Sequence, residues 1–466
     1  MTLHPIDTTQ HIRESYIRYL KTIKPFQDDR LRTEFARALE EPNMLVKGPY
    51  IEITPPFETG KSIQELVIEG VLSPRLEQLC CSEGLIWDRS LYRHQEVAVR
   101  KVVHCRNIVV TTGTGSGKTE AFLIPILDYL LREEASGILN QSGVRALLLY
   151  PMNALANDQM ERLRRYLAHY PQITYGRYVG ETQHTYREAI ENYKEIHRHT
   201  GDPFPEPPSN ELISREQMQA NPPHILLTNY AMLEYLLLRP ADSPLFDDAT
   251  GEHWHFIVLD EAHVYDGARA TEIGMLLRRL QERVTNNVAK PLQAIATSAT
   301  MGDTTPDSLH QIAHFANLLF NLEFEWDSNN PEHQDIILGE RIPESRLGET
   351  WGCGTPEFYA ELDRIAETWR TKGRFETPTP VTLNNIPHGV FDQACMRAGT
   401  DMPRFLYEML HGDQNMHTLR ALLRDAPCLL AEDASNVFPD LVPEVGEKSL
   451  AHLVSAAILA REESTA

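Results

Sequence analysis

Five short apolar runs, each followed by a polar turn and a helical pattern, dominate the middle of the chain. They are NIVVT from Asn107, RALLLY from Arg145, HILLT from His224, HFIVLD from His255 and LQAIATS from Leu292. Strands that are apolar throughout and alternate with helices are typical of a parallel sheet covered on both faces. The pattern therefore predicts a doubly wound α/β domain over residues 89–305, with ligands at the carboxyl ends of its strands.

The regions on either side of this domain have a different pattern. Residues 1–88 are predicted to be an accessory region that is helical at first and then rich in turns. A polar helix and a Pro-rich loop form an insertion around residues 183–222. Residues 306–466 lack the strand–turn–helix alternation and are predicted to be mainly helical. The predicted fold is thus an α/β sheet domain flanked by mainly helical N- and C-terminal regions.

Length and composition fit two or three domains rather than one compact core. The chain has 466 residues, and its net charge of −22 argues against a protein that coats nucleic acid by general electrostatic attraction. The apolar runs are shorter than the ~18 residues that span a bilayer, and the start has no secretory pattern. The six cysteines form neither a disulfide framework nor a zinc motif. These features predict a cytoplasmic protein with no membrane partner.

A Gly-rich loop, TGTGSGKT, follows the first apolar strand and precedes a helix. Its residues are Thr112, Gly113, Thr114, Gly115, Ser116, Gly117, Lys118 and Thr119. Glycine permits conformations in which successive N–H groups and the helix N-terminus point at phosphate oxygens. A lysine and a hydroxyl at the end of such a loop suit the phosphates and Mg²⁺ of a nucleoside triphosphate. The loop therefore predicts an ATP site, although threonine replaces the usual first glycine and a plain Gly-rich turn is the alternative.

Two acidic residues, Asp260 and Glu261, end the buried strand HFIVLD. Asp260 is predicted to hold Mg²⁺ together with Thr119, and Glu261 is predicted to polarise the attacking water. A lone acidic pair is more often a surface helix cap. This pair, however, comes after a phosphate loop, at a strand end, and directly before Ala262 and His263.

The motifs and their order resemble those of superfamily 2 helicases of the DEAD/DEAH-box kind. The acidic, coupling and adenine-sensing motifs of that family have counterparts in DEAH from Asp260, SAT from Ser298 and LYRHQ from Leu91. The strand-contacting motifs have counterparts in YPMNALANDQ from Tyr150, YVGET from Tyr178 and LLTNYAMLEYLLLRP from Leu226. The matches cover a little under half of the chain. They look most like large bacterial helicases related to MrfA/YprA and DISARM-type proteins, which act on DNA in repair or antiphage defence.

The resemblance implies a role for each matched residue, with ATP and Mg²⁺ as cofactors and single-strand or duplex DNA as partner. The catalytic residues would be Lys118, Asp260, Glu261 and His263. The adenine end would be recognised by Tyr92, Arg93 and Gln95, and the coupling residues would be Ser298, Ala299 and Thr300. The nucleic acid would contact Pro151, Asn153, Ala154, Gly180, Thr182, Thr228 and Asn229. Backbone N–H groups at strand ends can bind phosphates without much net positive charge.

Three arginines near the strand-contacting motifs allow two interpretations. Arg162, Arg164 and Arg165 would either add a local basic edge or form an ordinary solvated helix face.

The resemblance also implies a second RecA-like lobe that carries an arginine finger. Neither a Q-x-x-G-R-x-G-R pattern nor a second strand–turn–helix series follows Thr300. We therefore expect the N-terminal part of a larger helicase, a split subunit or a truncated product, which needs that lobe in cis or from a partner. Because an arginine finger is worth about 10³–10⁵ in rate, the isolated chain should hydrolyse ATP poorly and should not unwind. A non-hydrolysing ATP-responsive binding module and a P-loop ATPase unrelated to nucleic acid stay open as alternatives.

Overall fold

The computed structural model separates the chain into two compact units. It describes residues 5–41, 44–80, 84–113, 115–198, 203–285, 292–299, 305–342, 349–373, 375, 388–423 and 427–461. The sheet unit is Pro56–Ile342, and the helical unit combines Met1–Pro55 with Pro343–Ala466. The domain boundaries drawn from the sequence, near residues 88 and 305, lie inside the sheet unit, and the division into domains stays a prediction.

The secondary structure of the described residues is mainly helical with short strands. The helices are α1 (Pro5–Ile23), α2 (Asp29–Glu40), α3 (Ile63–Ile68), α4 (Arg93–Val103), α5 (Lys118–Ala135), α6 (Asn153–Leu167), α7 (Tyr186–His197), α8 (Arg215–Ala220), α9 (Tyr230–Leu238), α10 (Asp248–Gly251), α11 (Gly267–Thr285), α12 (Pro306–Phe320), α13 (Pro356–Lys372), α14 (His388–Ala398), α15 (Met402–Leu410), α16 (Gln414–Leu422), α17 (Leu430–Val437) and α18 (Pro443–Ala457). The strands are β1 (Tyr50–Ile51), β2 (Thr59–Ser62), β3 (Ser90–Tyr92), β4 (Ile108–Thr111), β5 (Ala146–Tyr150), β6 (Tyr175–Arg177), β7 (Glu211–Leu212), β8 (Ile225–Asn229), β9 (Phe256–Leu259), β10 (Gln293–Ser298), β11 (Ile336–Leu338) and β12 (Cys428–Leu429).

An eight-stranded sheet forms the centre of the sheet unit, in the order β11–β4–β10–β9–β5–β8–β6–β7. All neighbouring strands pair in parallel. This confirms the predicted RecA-like doubly wound fold, and the five predicted strands correspond to β4, β5, β8, β9 and β10. Strands β6, β7 and β11 were not predicted, because runs of two or three residues carry too little periodic signal. The insertion supplies β7, and β11 extends the sheet to residue 338.

Both faces of the sheet are covered by helices, because alternate side chains along each strand point to opposite faces. In β4, Ile108 and Val110 pack in one core with residues of α4, α5 and α6. Val109, between them, packs in a second core with residues of α9, α11 and α12. A ligand therefore approaches this sheet at the ends of its strands.

The helical unit has its own apolar core, which includes the fully buried side chains of Tyr359, Leu406 and Leu450. Strand β1 pairs in antiparallel fashion with β12, so that segments from the start and the end of the chain share this unit. The buried carboxylate of Asp413 accepts hydrogen bonds from the N–H of Gly354 at 2.9 Å and from the hydroxyl of Tyr359 at 2.8 Å. Among the described residues, none of the helices has the length and apolar character needed to cross a membrane.

Candidate nucleotide and nucleic-acid sites

The Gly-rich loop connects the carboxyl end of β4 to the first turn of α5. Gly115 and Gly117 have φ angles of 75° and 70°, in the left-handed region that residues with a Cβ rarely adopt. At Gly117 a Cβ would also collide with Nε2 of Gln95. The left-handed backbone conformation therefore favours glycine at this position, and a larger residue would also displace the Gln95 amide. Thr114 lies outside the described residues.

Hydrogen bonds within the loop bring its two ends together. The hydroxyls of Thr112 and Ser116 lie 2.5 Å apart, and both side chains are buried. The Lys118 ammonium donates to the carbonyl of Thr112 at 3.2 Å. The Thr119 hydroxyl accepts a hydrogen bond from Nε2 of Gln159 at 3.3 Å, which links the loop to α6. Thr112 and Ser116 thus shape the loop, whereas Lys118 and Thr119 form the first two residues of α5.

The predicted adenine-sensing residues lie at the start of α4, in contact with the loop. Gln95 accepts a hydrogen bond from the N–H of Tyr92 at 2.8 Å and donates to the carbonyl of Gly117 at 2.8 Å. Its side-chain amide is therefore held beside the residue that precedes Lys118. A ligand that hydrogen-bonds to this amide would therefore be linked to the phosphate loop through Gly117.

Two further α4 residues have different surroundings. His94, which was not predicted, contacts the carbonyl of Ser116 through Nε2 at 2.9 Å. Burial lowers the pKa of His94 below its ordinary value, so that the ring is neutral near pH 7. Arg93 is exposed and lies 3.2 Å from the carboxylate of Glu96.

The acidic strand end lies opposite the phosphate loop. The Lys118 ammonium is 3.6 Å from Oε1 of Glu261. Strand β10 lies between β4 and β9, and its end bonds to both sides. The hydroxyl of Thr297 donates to the carboxylate of Asp260, and the carbonyl of Ser298 accepts from the N–H of Thr112 at 3.1 Å. The loop and the DEAH residues therefore both contact the end of β10.

The two carboxylates of this strand end are in unusual environments. Asp260 is 8% exposed, and burial raises its pKa, while the hydrogen bond from Thr297 opposes that rise. Glu261 has a φ of 52°, a left-handed conformation that costs a non-glycine residue on the order of 1–3 kcal/mol. Its Oε2 is buried and makes no hydrogen bond within the described structure. His263 Nδ1 lies 3.3 Å from this atom without hydrogen-bond geometry.

The coupling residues adjoin this strand end. The Ser298 hydroxyl lies 3.3 Å from Nδ1 of His263, and the Ser298 side chain is fully buried. Ala299 follows it and is half-buried. Thr300 lies outside the described residues. Ser298 thus contacts the loop through its carbonyl and the DEAH segment through its hydroxyl.

The site contains the kind of donors that a magnesium ion uses. Mg²⁺ takes oxygen ligands, commonly one or two carboxylates together with water and substrate phosphates. Asp260 supplies a carboxylate whose desolvation an adjacent cation would relieve, and Thr119 supplies a hydroxyl. The buried Oε2 of Glu261, which has no hydrogen-bond donor in the described residues, is likewise suited to a water or cation. The residues present therefore fit a magnesium–nucleotide complex.

The predicted nucleic-acid residues gather at the carboxyl ends of β5, β6 and β8. Asn229 donates through Nδ2 to Oδ1 of Asn153 at 2.8 Å. The same Asn229 side chain caps α9 by accepting from the N–H of Met232 at 2.8 Å. Asn153 begins α6. One hydrogen bond therefore joins the starts of two helices.

Most other polar side chains of this group serve the structure of the loops. The Thr182 hydroxyl donates to the carbonyl of Arg177 at 2.8 Å and accepts from the N–H of Val179 at 2.9 Å. The Thr228 hydroxyl donates to the carbonyl of Tyr178 at 2.6 Å. Both threonine side chains are buried. By contrast, the exposed positions carry little side-chain chemistry, and they include Ala154 and Gly180, with Pro151 half-buried.

The three arginines considered as a basic edge are each paired with a carboxylate. Their partners and distances are Glu120 for Arg162 at 2.5 Å, Glu211 for Arg164 at 2.7 Å and Glu161 for Arg165 at 2.6 Å. Arg164 is also largely buried, because its side chain retains only 13% exposure. Arg164 is therefore part of a largely buried ion pair and not of a solvated helix face. For Arg162 and Arg165, which are more exposed, both interpretations stay predictions.

Several residues that shape the sites were not predicted from the sequence. His94 and Gln159 lie inside LYRHQ and YPMNALANDQ, so the motif strings themselves contained a signal. Thr297 directly precedes SAT. Arg215, in the insertion, donates to the carbonyls of Thr182 at 2.9 Å and Gly180 at 3.0 Å. Nothing in its local sequence indicates this contact, because the partner turn lies more than thirty residues earlier.

Comparison with known proteins assigns the central part of the chain to a protein family. Residues 92–309 match the sequence profile of the DEAD/DEAH box helicase family. These residues form a DEAD/DEAH box helicase domain. The predicted family resemblance is therefore confirmed.

The individual relatives share less than a third of their aligned residues with this chain, and they are longer proteins. The chain is 26% identical over 551 aligned residues to the Druantia protein DruE of Escherichia coli (strain UMEA 4076-1), covering 98% of this chain and 29% of DruE. It is 28% identical over 216 residues to the ATP-dependent helicase YprA of Bacillus subtilis (strain 168), covering 46% of this chain and 23% of YprA. The chain therefore spans less than a third of the length of either relative. A crystal structure of the helicase MrfA bound to DNA and AMPPNP aligns with a TM-score of 0.43 at 18% identity, covering 93% of this chain and 54% of that one.

Proposed function

We propose that the helicase domain binds ATP with Mg²⁺ between the ends of β4 and β9 and hydrolyses it when a nucleic-acid strand is bound. The single observation that carries this proposal is the 3.6 Å approach of the Lys118 ammonium to the Glu261 carboxylate. A cation that can bind phosphate thus lies beside a carboxylate that can accept a proton from water. Membership of residues 92–309 in the helicase family supports the same reaction.

The roles of the nucleotide residues follow from their chemistry. The loop N–H groups and Lys118 bind the phosphates, and Gln95, with Tyr92 and Arg93 next to it, recognises adenine. Thr119 and Asp260 hold the metal ion, which when bound neutralises charge on the phosphate oxygens. Glu261 accepts a proton from the attacking water, since its Oε2 has no competing hydrogen bond within the described structure.

Contacts between the phosphate loop, the end of β10 and the DEAH segment would couple ATP hydrolysis to movement at the carboxyl edge of the sheet. His263 contacts the Ser298 hydroxyl, and the Ser298 carbonyl accepts from the phosphate loop at Thr112. A shift of the loop on hydrolysis would therefore move the end of β10. Ala299 and Thr300, which continue this motif, belong to the same proposed coupling segment.

The proposed partner is DNA, held along the ends of β5, β6 and β8. Exposed backbone at Ala154 and Gly180 and the N-termini of α6 and α9 would bind the sugar–phosphate chain. A second RecA-like lobe, in cis or from a partner, would complete the motor. We keep residues 1–88, 89–305 and 306–466 as the proposed accessory, helicase and helical domains.

The substitution Glu261→Gln tests the proposal. It should lower ATP turnover by about 10²-fold or more while leaving ATP and single-stranded DNA binding intact, because it removes the base and keeps the shape. The matched control is Glu272→Gln, an exposed position on the following helix α11. Turnover should be measured with and without DNA, and with and without a separately produced second lobe.

Four results would contradict parts of the proposal. ATP binding without turnover in both the wild type and Glu261→Gln, even with DNA and the second lobe, would favour a non-hydrolysing binding module, whereas hydrolysis that is unchanged in Glu261→Gln would show that Glu261 is not the base. ATP hydrolysis without any DNA binding would favour a P-loop ATPase unrelated to nucleic acid. Strong DNA-stimulated turnover by the isolated chain would show that no second lobe is needed.

A further inference from the structure

A short pair of backbone segments lies beside the phosphate loop, outside all the sequence motifs. Phe57 and Arg341 form an antiparallel bridge. On either side of it, the N–H of Glu58 donates to the carbonyl of Glu340 at 2.9 Å, and the N–H of Ile342 donates to the carbonyl of Pro56 at 2.9 Å. We name residues 56–58 and 340–342 the strap. It follows directly from β11, the strand that pairs with β4.

The strap packs against the adenine-side motif through the ring of Phe57. The Arg341 guanidinium carbon lies 4.4 Å from the centre of this ring. The same ring lies 5.5 Å from the ring of Tyr92 and 5.1 Å from the ring of His94. Phe57 is thus in contact with Arg341 and with the start of α4. A guanidinium stacked on an aromatic ring keeps its plane in a defined orientation.

Arg341 also reaches the phosphate loop itself. A Cβ placed on Gly113 would lie 3.5 Å from Nη2 of Arg341, which is ordinary van der Waals distance. The neighbouring Thr112 carbonyl accepts the hydrogen bond from Lys118 at 3.2 Å. The guanidinium and the ammonium therefore approach the same, strand-side end of the loop.

We propose that Arg341 contacts the phosphates of bound nucleotide, and in particular the terminal phosphate of ATP. This inference rests on the proposed function, since it needs ATP in the loop. A guanidinium carries a permanent charge and donates two parallel hydrogen bonds to phosphate oxygens. Arg341 is exposed while stacked on Phe57, so a ligand in the loop can approach its guanidinium from solvent. It belongs to the same unit as the loop, so the contact does not depend on a second lobe.

The terminal phosphate is the expected target because of the position of Lys118. In phosphate loops of this kind, the lysine serves the β- and γ-phosphates. Arg341 lies at the end of the loop where the Lys118 ammonium is bonded. Loss of the guanidinium should therefore weaken ATP more than ADP. A residue that only supports the strap would affect both nucleotides alike.

The test compares ATP and ADP affinities of the full chain with Mg²⁺ present, by isothermal titration. Arg341→Met should weaken ATP binding by about 10- to 100-fold and ADP binding by less than about threefold, as expected for a lost hydrogen-bonded charge. Arg341→Lys should fall between this variant and the wild type. The matched control is Arg239→Met, because Arg239 stacks on Tyr235 at 5.0 Å in another part of the unit. That control should bind both nucleotides as the wild type does.

The outcomes separate this inference from the proposed function. If the wild type binds no ATP, or if Lys118→Ala binds it normally, the ATP site itself is wrong. If Lys118→Ala abolishes binding while Arg341→Met keeps wild-type ATP affinity, the inference about Arg341 is overturned. Equal weakening of ATP and ADP overturns it as well. Should Arg341→Met fail to fold, Arg341→Lys gives the same decision, since an unchanged ATP-to-ADP preference would count against the contact.

Discussion

The carboxyl edge of the sheet presents two surfaces of opposite character. At the ends of β4 and β9, charged side chains lie close together. Some of their polar atoms make no hydrogen bond within the described residues. Lys118 and Glu261 approach to 3.6 Å, and Oε2 of Glu261 makes no hydrogen bond. At the ends of β5, β6 and β8, polar side chains are used internally, as with Thr182 and Thr228.

This difference indicates how each surface would bind its ligand. The surface at the ends of β4 and β9 offers charged side chains that could bind a polyanion and a metal ion. The other side offers backbone groups held in place by buried side chains, which suits a ligand recognised by its regular sugar–phosphate chain. A protein with a net charge of −22 can bind nucleic acid in this second way without a basic surface.

The largest effect is expected at Asp260. On the proposed function, Asp260→Asn should lower ATP turnover by about 10²–10³-fold, because it removes the charge that would act on the phosphate–metal complex. Burial raises the folded-state pKa of Asp260 above its unfolded value. Its stabilising contribution is therefore present below the unfolded pKa and is lost as pH rises through the folded pKa. Asp260→Asn should consequently gain stability relative to the wild type as pH increases.

The measurement is ATPase activity with DNA and the separately produced second lobe present, together with thermal unfolding of the chain near pH 5 and near pH 8. Asp266→Asn, an exposed change shortly after the same strand, is the control and should alter neither quantity. A variant that keeps full turnover, or that becomes less stable relative to the wild type at the higher pH, would contradict the proposed environment of Asp260.

A smaller effect, confined to the other surface, is expected at Arg215. This buried side chain donates to the carbonyls of Thr182 and Gly180 and lies over the ring of Tyr178. Arg215→Met should weaken single-stranded DNA binding by about tenfold, since the turn loses its anchor, and should cost roughly 1–3 kcal/mol of stability. ATP affinity should change by less than about twofold. Arg187→Met, at an exposed position on α7, should leave both affinities unchanged.

Titrations with labelled single-stranded DNA and with ATP at one fixed salt concentration decide this point. If Arg215→Met lowered the affinities for single-stranded DNA and for ATP equally, the two surfaces would not bind their ligands independently.

The smallest expected effect is the dependence of the DNA-binding constant on salt concentration. Each neutralised phosphate of a single strand contributes about −0.7 to the slope of log K against log salt concentration. Because Arg162, Arg164 and Arg165 are paired internally, we expect a slope of about −2 or shallower. Arg162→Met should leave the slope unchanged, for the same reason. A slope steeper than about −4 would reveal cationic contacts that the described face does not offer.

The prediction from sequence succeeded where the signal was local. Strands β4, β5, β8, β9 and β10 are continuous apolar runs, and the phosphate loop is a compact glycine pattern between a strand and a helix. It failed for β6, β7 and β11, which are too short for periodicity and depend on a neighbouring strand to form. The arginines of α6 gave no local sign of their carboxylate partners, two of which lie more than forty residues away along the chain.

The parallel sheet, the order of its motifs and the residue types at each strand end could be predicted from the amino-acid sequence, because apolar periodicity and glycine act within a few residues. Three features are visible only in the folded structure: the 3.6 Å distance between Lys118 and Glu261, the burial that raises the pKa of Asp260, and the position of Arg341 beside Gly113. Each of these depends on how segments far apart in the chain pack across the sheet. Such packing is a property of the whole core, and no short stretch of sequence encodes it.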